Sequence, residues 1–274
     1  MKQKQVLKSR IITASILIPF VVLGILYLPI IPFAIVSGLL FLLAGYEWTN
    51  LAGFKSKITR LLALLAIPLF GLFILGLLYV AGKNVLEQGF PIVIVAFWLT
   101  AVFFLYRFPK DNAFWKFPVV GIITGSLVLT PAWFMMMLLK YMDPKLILYV
   151  MILVWVADSA AYFAGRRFGK TKLAPEISPG KTWEGVIAAL IASLIVIVLG
   201  FYIIEPKMKS FHWIFVGLLT AIFSIIGDLF ESAFKRLRGV KDSGTILPGH
   251  GGILDRIDSL TAAIPIFGVG MAYF

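Results

Sequence analysis

The chain is 274 residues long, with 61% hydrophobic and 14% charged residues and a mean hydropathy of +0.99. Soluble globular proteins carry about 45–50% apolar and about 25% charged residues, and a domain of this size leaves too much surface wet to hide the excess. A soluble enzyme, a disordered chain and a collagen-like fibre are excluded, which leaves an integral membrane protein. The net charge of +12 would suggest nucleic acid in a soluble protein. In a membrane protein it is first ascribed to cytoplasmic anchoring charge, so no nucleic-acid partner is expected. With no cysteine there is neither a disulfide framework nor a thiolate metal site.

A helix needs about 20 apolar residues to cross the hydrocarbon. Nine stretches qualify: 11–31, 32–52, 61–81, 90–107, 117–139, 146–164, 186–204, 211–232 and 258–274. The expected fold class is all-α, a polytopic bundle of these nine transmembrane helices. Pro29 and Pro32 separate the first two spans, which read as a tight outer hairpin. The basic start before the first span mimics a signal peptide, but the apolar run is too long and lacks an A-x-A site, so an uncleaved span is expected. Twenty of the 25 Lys and Arg residues fall on the side of the N-terminus and every second loop. That bias places the N-terminus in the cytoplasm, for a protein expected in the plasma (inner) membrane.

The two halves differ in chemistry. Residues 1–145 hold four acids, Glu47, Glu87, Asp111 and Asp143, and short loops; residues 146–274 hold the other nine acids. The second half also has the two long loops, 165–185 and 233–257, both on the cytoplasmic side. Long loops in a compact domain are usually functional. The first half, 1–145, reads as a scaffold of five helices and the second, 146–274, as the half that holds a site. Glu47, between Tyr46 and Trp48, reads as an interfacial structural residue.

Asp158 lies about 18 Å from the outer edge by helical rise, where a carboxylate is costly and by default functional. Asp228 and Glu231 are three apart and share a helix face with Lys235. Gly227 lets a backbone or ligand come close beside Asp228. Asp255 and Asp258 are again three apart at the start of the last span, with Asp258 the natural helix cap. Two acids on one face, with Arg256 between them and Asp228 at similar depth, suggest a hard-cation site. Carboxylates without Cys suit Mg²⁺. Gly249, Gly251 and Gly252 around His250 allow backbone N–H groups to turn toward an anion. With Lys235, Arg236, Arg238, Lys241 and Arg256 nearby, phosphate is the sensible ligand. In the other long loop, Ser178-Pro179 reads as a helix start. Gly180-Lys181-Thr182 is not a Walker A end, because Pro175 stands where that motif needs Gly. Lys170, Lys172 and Lys181 could hold phosphates or anionic lipid headgroups.

The stretch from Ser232 to Asp258, with Lys235-Arg236, Lys241-Asp242-Ser243-Gly244 and LPGHGGILDRID, resembles the signature of the phosphatidate cytidylyltransferases (CDP-diacylglycerol synthases). It does so without departure over 27 positions. The middle loop is also similar: Asp158-Ser159, Ala161-Tyr162, Gly165-Arg166, Gly169-Lys170, Ser178-Pro179, Lys181-Thr182 and Glu184-Gly185. Gly180 departs, standing where the family often has a second Lys. The resemblance covers about residues 150–274.

It implies transfer of CMP from CTP to phosphatidic acid with release of pyrophosphate, requiring Mg²⁺ and leaving room for a second ion such as K⁺. By resemblance Asp228, Asp255 and Asp258 carry the metal. Lys235, Arg236, Lys241 and Arg256 neutralise the phosphates, assisted by Lys181 and the His250-Gly251-Gly252 backbone. Thr182, Glu184 and Asp242 belong to the same substrate-binding pattern. Asp158 either joins the metal shell or holds a cation. A cavity open to the cytoplasm and sideways to the inner leaflet would let CTP and lipid meet. A homodimer in contact with membrane lipids is the expected assembly. The rivals are a CTP-dependent polyprenol kinase, an ether-lipid cytidylyltransferase and a transporter; the charge cluster at one face and the lack of repeats count against the transporter.

Overall fold

The computed structural model describes residues 18–110, 112–246 and 251–274. The described helices are α1 (Ile18–Tyr27), α2 (Ile30–Leu51), α3 (Lys57–Val80), α4 (Lys83–Arg107), α5 (Pro118–Met142), α6 (Pro144–Phe168), α7 (Trp183–Ile204), α8 (Ser210–Leu237) and α9 (Leu254–Tyr273). The all-α membrane class is borne out: among the described residues, seven helices, α2 to α8, are long and apolar enough to cross a bilayer, α4 from Glu87 onward. The early part of the first expected span, with Lys2, Lys4, Lys8 and Arg10, lies outside the described residues, as does Asp111.

Local chemistry sets the boundaries. The break between α1 and α2 falls at Pro29, the residue before α2. Ser56 caps α3 by accepting the Thr59 N–H at 3.1 Å. Asp143 caps α6 by accepting the Lys145 N–H at 2.8 Å, with Pro144 in the first turn. Both follow the usual preference for a short polar acceptor and an N-terminal proline. Prolines 68, 91, 131 and 265 sit inside helices, which a bilayer tolerates when neighbouring helices re-satisfy the backbone.

Two sequence expectations are corrected. Ser178-Pro179 does not start a helix; it lies in a two-stranded antiparallel hairpin, β1 (Lys172–Ala174) with β2 (Ser178–Thr182). A residue before proline is pushed toward extended backbone, and the helix waits for Thr182, whose hydroxyl accepts the Gly185 N–H at 3.2 Å. Asp258 does not cap α9, because that helix starts at Leu254, a full turn earlier.

α9 is the central helix, packed against α2, α4, α5, α6 and α8. Every residue from Thr261 to Gly268 is buried, and the small side chains Ala262, Ala263 and Gly268 admit close neighbours. α3 and α7 instead present rows of exposed leucine, isoleucine and valine, such as Leu61, Leu65 and Leu72 or Ile187, Ile191 and Leu194. Such faces suit acyl chains. Buried rings join α2, α4 and α8: Trp48 lies 5.1 Å from Phe234, Phe230 lies 5.2 Å from Phe234, and Trp98 lies 5.8 Å from Phe230.

One end of the bundle is stitched by side chains to backbone. Arg238, after α8, donates to Leu51 O and Ala52 O at the end of α2 and to Lys116 O before α5. Arg236 donates to Ile177 O in the hairpin at 2.9 Å. Glu184 in the first turn of α7 accepts the Thr171 N–H at 3.1 Å. The ends of α2, α5, α6, α7 and α8 therefore meet where the basic loops are.

Candidate active site

α8 builds the floor. Asp228, Glu231, Ser232 and Lys235 recur every three or four residues and so face one way. Ser232 Oγ donates to Asp228 Oδ1 at 3.2 Å. Lys235 Nζ donates to Glu231 Oε2 at 2.8 Å and across to Asp255 Oδ1 on α9 at 2.9 Å. That crossing is possible because α8 and α9 nearly touch: a Cβ on Gly227 would lie 2.7 Å from the Asp258 carbonyl oxygen. The close approach expected beside Asp228 is thus filled by α9 backbone.

Asp255 is saturated. Besides Lys235 it accepts the Ser243 N–H at 3.1 Å and the Gly252 N–H at 2.9 Å. Asp258, one turn on, interacts with both Asp228 and Glu231. Glu231 is buried, and its Oε1 accepts no hydrogen bond among the described residues. The hairpin brings in the second loop: Lys181 Nζ lies 2.7 Å from Asp228 Oδ2. Asp158, exposed on α6, is within electrostatic reach of Asp228 and Lys181. The cluster therefore has a closed side and an open one. The side chains of Lys235 and Asp255 are 12% and 11% exposed, against 25% and 28% for Lys181 and Asp228.

The structure gathers Asp158, Lys181, Asp228, Lys235, Asp255 and Asp258. Others stand apart from the cluster's interior. Thr182 is buried and spent as the α7 cap, Glu184 holds the Thr171 N–H, and Arg236 holds the hairpin carbonyl. Lys241, Asp242 and Arg256 are exposed at the rim. Gly251 turns with φ +84 close to Asp255 and Asp242, and Gly252 donates to Asp255. His250 and Gly249 lie outside the described residues.

Glu47 faces the inside of the bundle. It is 1% exposed and reaches this site from α2, accepting the Leu254 N–H at 2.8 Å and the Ser243 hydroxyl at 3.3 Å. The signal was in the sequence: a carboxylate inside an apolar helix is costly unless something takes it up, the same ground on which Asp158 stands out. Ser243 and Ser232 join the site as hydrogen-bonding partners that residue type alone did not pick out.

The donor set is all oxygen. Around Lys181 and Lys235 stand five carboxyl groups, Asp158, Asp228, Glu231, Asp255 and Asp258, so acid exceeds base and one buried oxygen lacks a donor. That chemistry fits a hard divalent cation, although no three acid or histidine groups are already arranged as ligands among the described residues.

Residues 8–274 match the model of the cytidylyltransferase family. The chain belongs to that family. Among curated cytidylyltransferases, the phosphatidate cytidylyltransferase of Haemophilus influenzae is 40% identical over 285 aligned residues, covering 95% of this chain and 97% of that one. The phosphatidate cytidylyltransferase of Pseudomonas aeruginosa is 41% identical, covering 95% of each chain. That of Staphylococcus haemolyticus is 49% identical over 123 residues, 45% of this cytidylyltransferase. The match to the first two runs through both halves, so the resemblance is not confined to the second.

Proposed function

We propose that this membrane cytidylyltransferase moves CMP from CTP to phosphatidic acid, yielding CDP-diacylglycerol and pyrophosphate. The observation that carries the reading is that α8, α9 and the hairpin bring Asp228, Lys235, Asp255 and Lys181 into one cluster with an open side at Asp158. The acceptor, a lipid phosphate, is already an anionic nucleophile, so no activated Ser, Cys or His is needed. Its oxygen attacks the α-phosphorus of CTP, and the bond to the β-phosphate oxygen breaks as pyrophosphate leaves. Catalysis then rests on positioning and on neutralising charge.

Asp228 and Asp258 would hold Mg²⁺, and Asp255 would join them on giving up one of the donors it now accepts. Mg²⁺ when bound supplies charge neutralisation on the phosphates. Lys181, freed from Asp228 as a phosphate takes its place, pairs with that phosphate. Lys235 keeps Glu231 and Asp255 in register, and Lys241 and Arg256 meet the outer phosphates at the rim. The exposed Asp158 and the half-buried Asp228 fit a site reached from the lipid side and the cytoplasm, with the N-terminus cytoplasmic and two copies forming a dimer.

Purified protein with Mg²⁺, phosphatidic acid and CTP labelled separately at the α- and γ-phosphates tests this. Alpha label is expected in lipid, dependent on phosphatidic acid. Gamma label in lipid would make the protein a kinase, and label in neither would reject transfer altogether.

A further inference from the structure

α9 has no cap of its own: Ile253, at its N-cap, offers no side-chain acceptor. Glu47 supplies one from another helix. Its Oε2 accepts the Leu254 N–H at 2.8 Å, placing a carboxylate where the helix dipole favours negative charge. The same oxygen takes the Ser243 hydroxyl at 3.3 Å. Ser243 and Leu254 lie on either side of the glycine-rich stretch of the signature, so one carboxylate ties both. Gly244 and Gly252 press on it with no room to spare, since a Cβ on either would collide with the Glu47 carboxyl. From the other side Asp255 gathers the Ser243 and Gly252 N–H groups. The mount is rigid: adjacent Trp48 donates Nε1 to Gly121 O at 2.8 Å and packs on Phe234.

We propose that Glu47 is a positioning residue for nucleotidyl transfer, a clamp in the first half of the chain that fixes the signature loop and aims the first turn of α9. It touches no substrate; it acts through Asp255, Arg256 and Asp258. This rests on the transferase reading above.

The test compares Glu47→Ala with Glu47→Gln in full-length protein in detergent. Alanine removes the oxygen that accepts both bonds; glutamine keeps an oxygen for the Leu254 N–H. Glu47→Ala is expected to lower kcat for CMP transfer about 10- to 100-fold, the loss of a buried charge-assisted hydrogen bond. Amide exchange at Ser243 and from Gly252 to Leu254 accelerates in it, while α8 and the rest of α9 exchange as in wild type. Glu47→Gln returns activity to within about fivefold of wild type and restores the slow exchange. Wild-type turnover in Glu47→Ala overturns the proposal, and so does lost activity with unchanged exchange at those amides. If Glu47→Ala does not fold, Glu47→Gln decides alone: lost activity, or fast exchange at the loop ends, rejects the clamp. Exchange needs no substrate, so a wild-type protein that transfers no CMP would reject the transferase reading while leaving the clamp to be judged on its amides.

Discussion

Arg238 follows α8 and spends its guanidinium on backbone, although its sequence context suggested a phosphate ligand. Nε donates to Leu51 O at 2.7 Å, and Nη2 donates to Ala52 O at 2.6 Å and Lys116 O at 3.1 Å. Gly53 has φ +100, and a Cβ there would lie 2.8 Å from the guanidinium carbon, so the turn after α2 is shaped around the arginine. Hydrogen bonds from a charged donor contribute about 1.5–3 kcal/mol each. The three share one group and are not additive, and the Lys116 carbonyl can turn to water. Arg238→Ala should therefore cost about 2–4 kcal/mol, lowering the apparent melting temperature by about 5–10 °C in a chain of this length. Thermal unfolding in detergent, followed by circular dichroism, measures it. Arg238→Lys should not restore stability, because a single ammonium cannot span carbonyls that the planar fork reaches together. CMP transfer, assayed at a temperature where the variant is folded, should stay near the wild-type rate. A melting temperature within about 1 °C of wild type, or intact stability with lost affinity for CTP, would refute the reasoning and return Arg238 to the phosphates.

Asp228→Asn and Asp255→Asn should each lower CMP transfer at least about 100-fold, as removal of a preorganised charge at a reacting phosphate does, while the protein still inserts and folds. Near-wild-type turnover in either would remove that residue from the site. Asp255→Asn should in addition speed amide exchange at Ser243 and Gly252, since its carboxylate accepts both. Thr182→Ala should cost about 1 kcal/mol as a lost helix cap, read as a lower melting temperature, and Thr182→Ser should recover it. A full loss of CTP binding in Thr182→Ala at unchanged stability would instead make the hydroxyl a ligand.

How far the site was legible depends on what each residue pairs with. Asp228, Lys235 and Asp255 stand out in sequence because charge at helical spacing in or beside an apolar span is costly to keep unless it is used, and their convergence follows from α8 packing on α9. Lys181 was legible only as a cation in a long loop; its partner, Asp228, is 47 positions away and emerges once the hairpin folds back. Ser178-Pro179 misled because serine followed by proline suits an extended strand as well as a helix start, and the choice is made by Thr182 capping the next turn. Arg236 and Arg238 look like anion ligands because charge shows in sequence, whereas the carbonyls they bond belong to no residue type. No periodicity or composition announces a backbone acceptor.

Two links tie the scaffold half to the site half. Expecting a scaffold in residues 1–145 was sound by composition, since few acids lie there. Yet α9 starts under a carboxylate from α2, and the turn after α2 is built around an arginine from α8. Both links cross between the halves at the basic end of the bundle, and each satisfies an atom that would otherwise be a liability: a buried carboxylate oxygen without a donor, or helix-end carbonyls without a partner. Positioning the phosphate chemistry therefore falls to α2 as much as to the signature itself. Substitutions around Glu47, from Tyr46 to Trp48, should consequently disturb turnover more than equally conservative ones on the lipid-facing row of α3, where Leu61, Leu65 and Leu72 stand exposed. A scan of both segments by CMP transfer, normalised to folded protein, would show it; equal sensitivity in the two would mean that the clamp positions nothing.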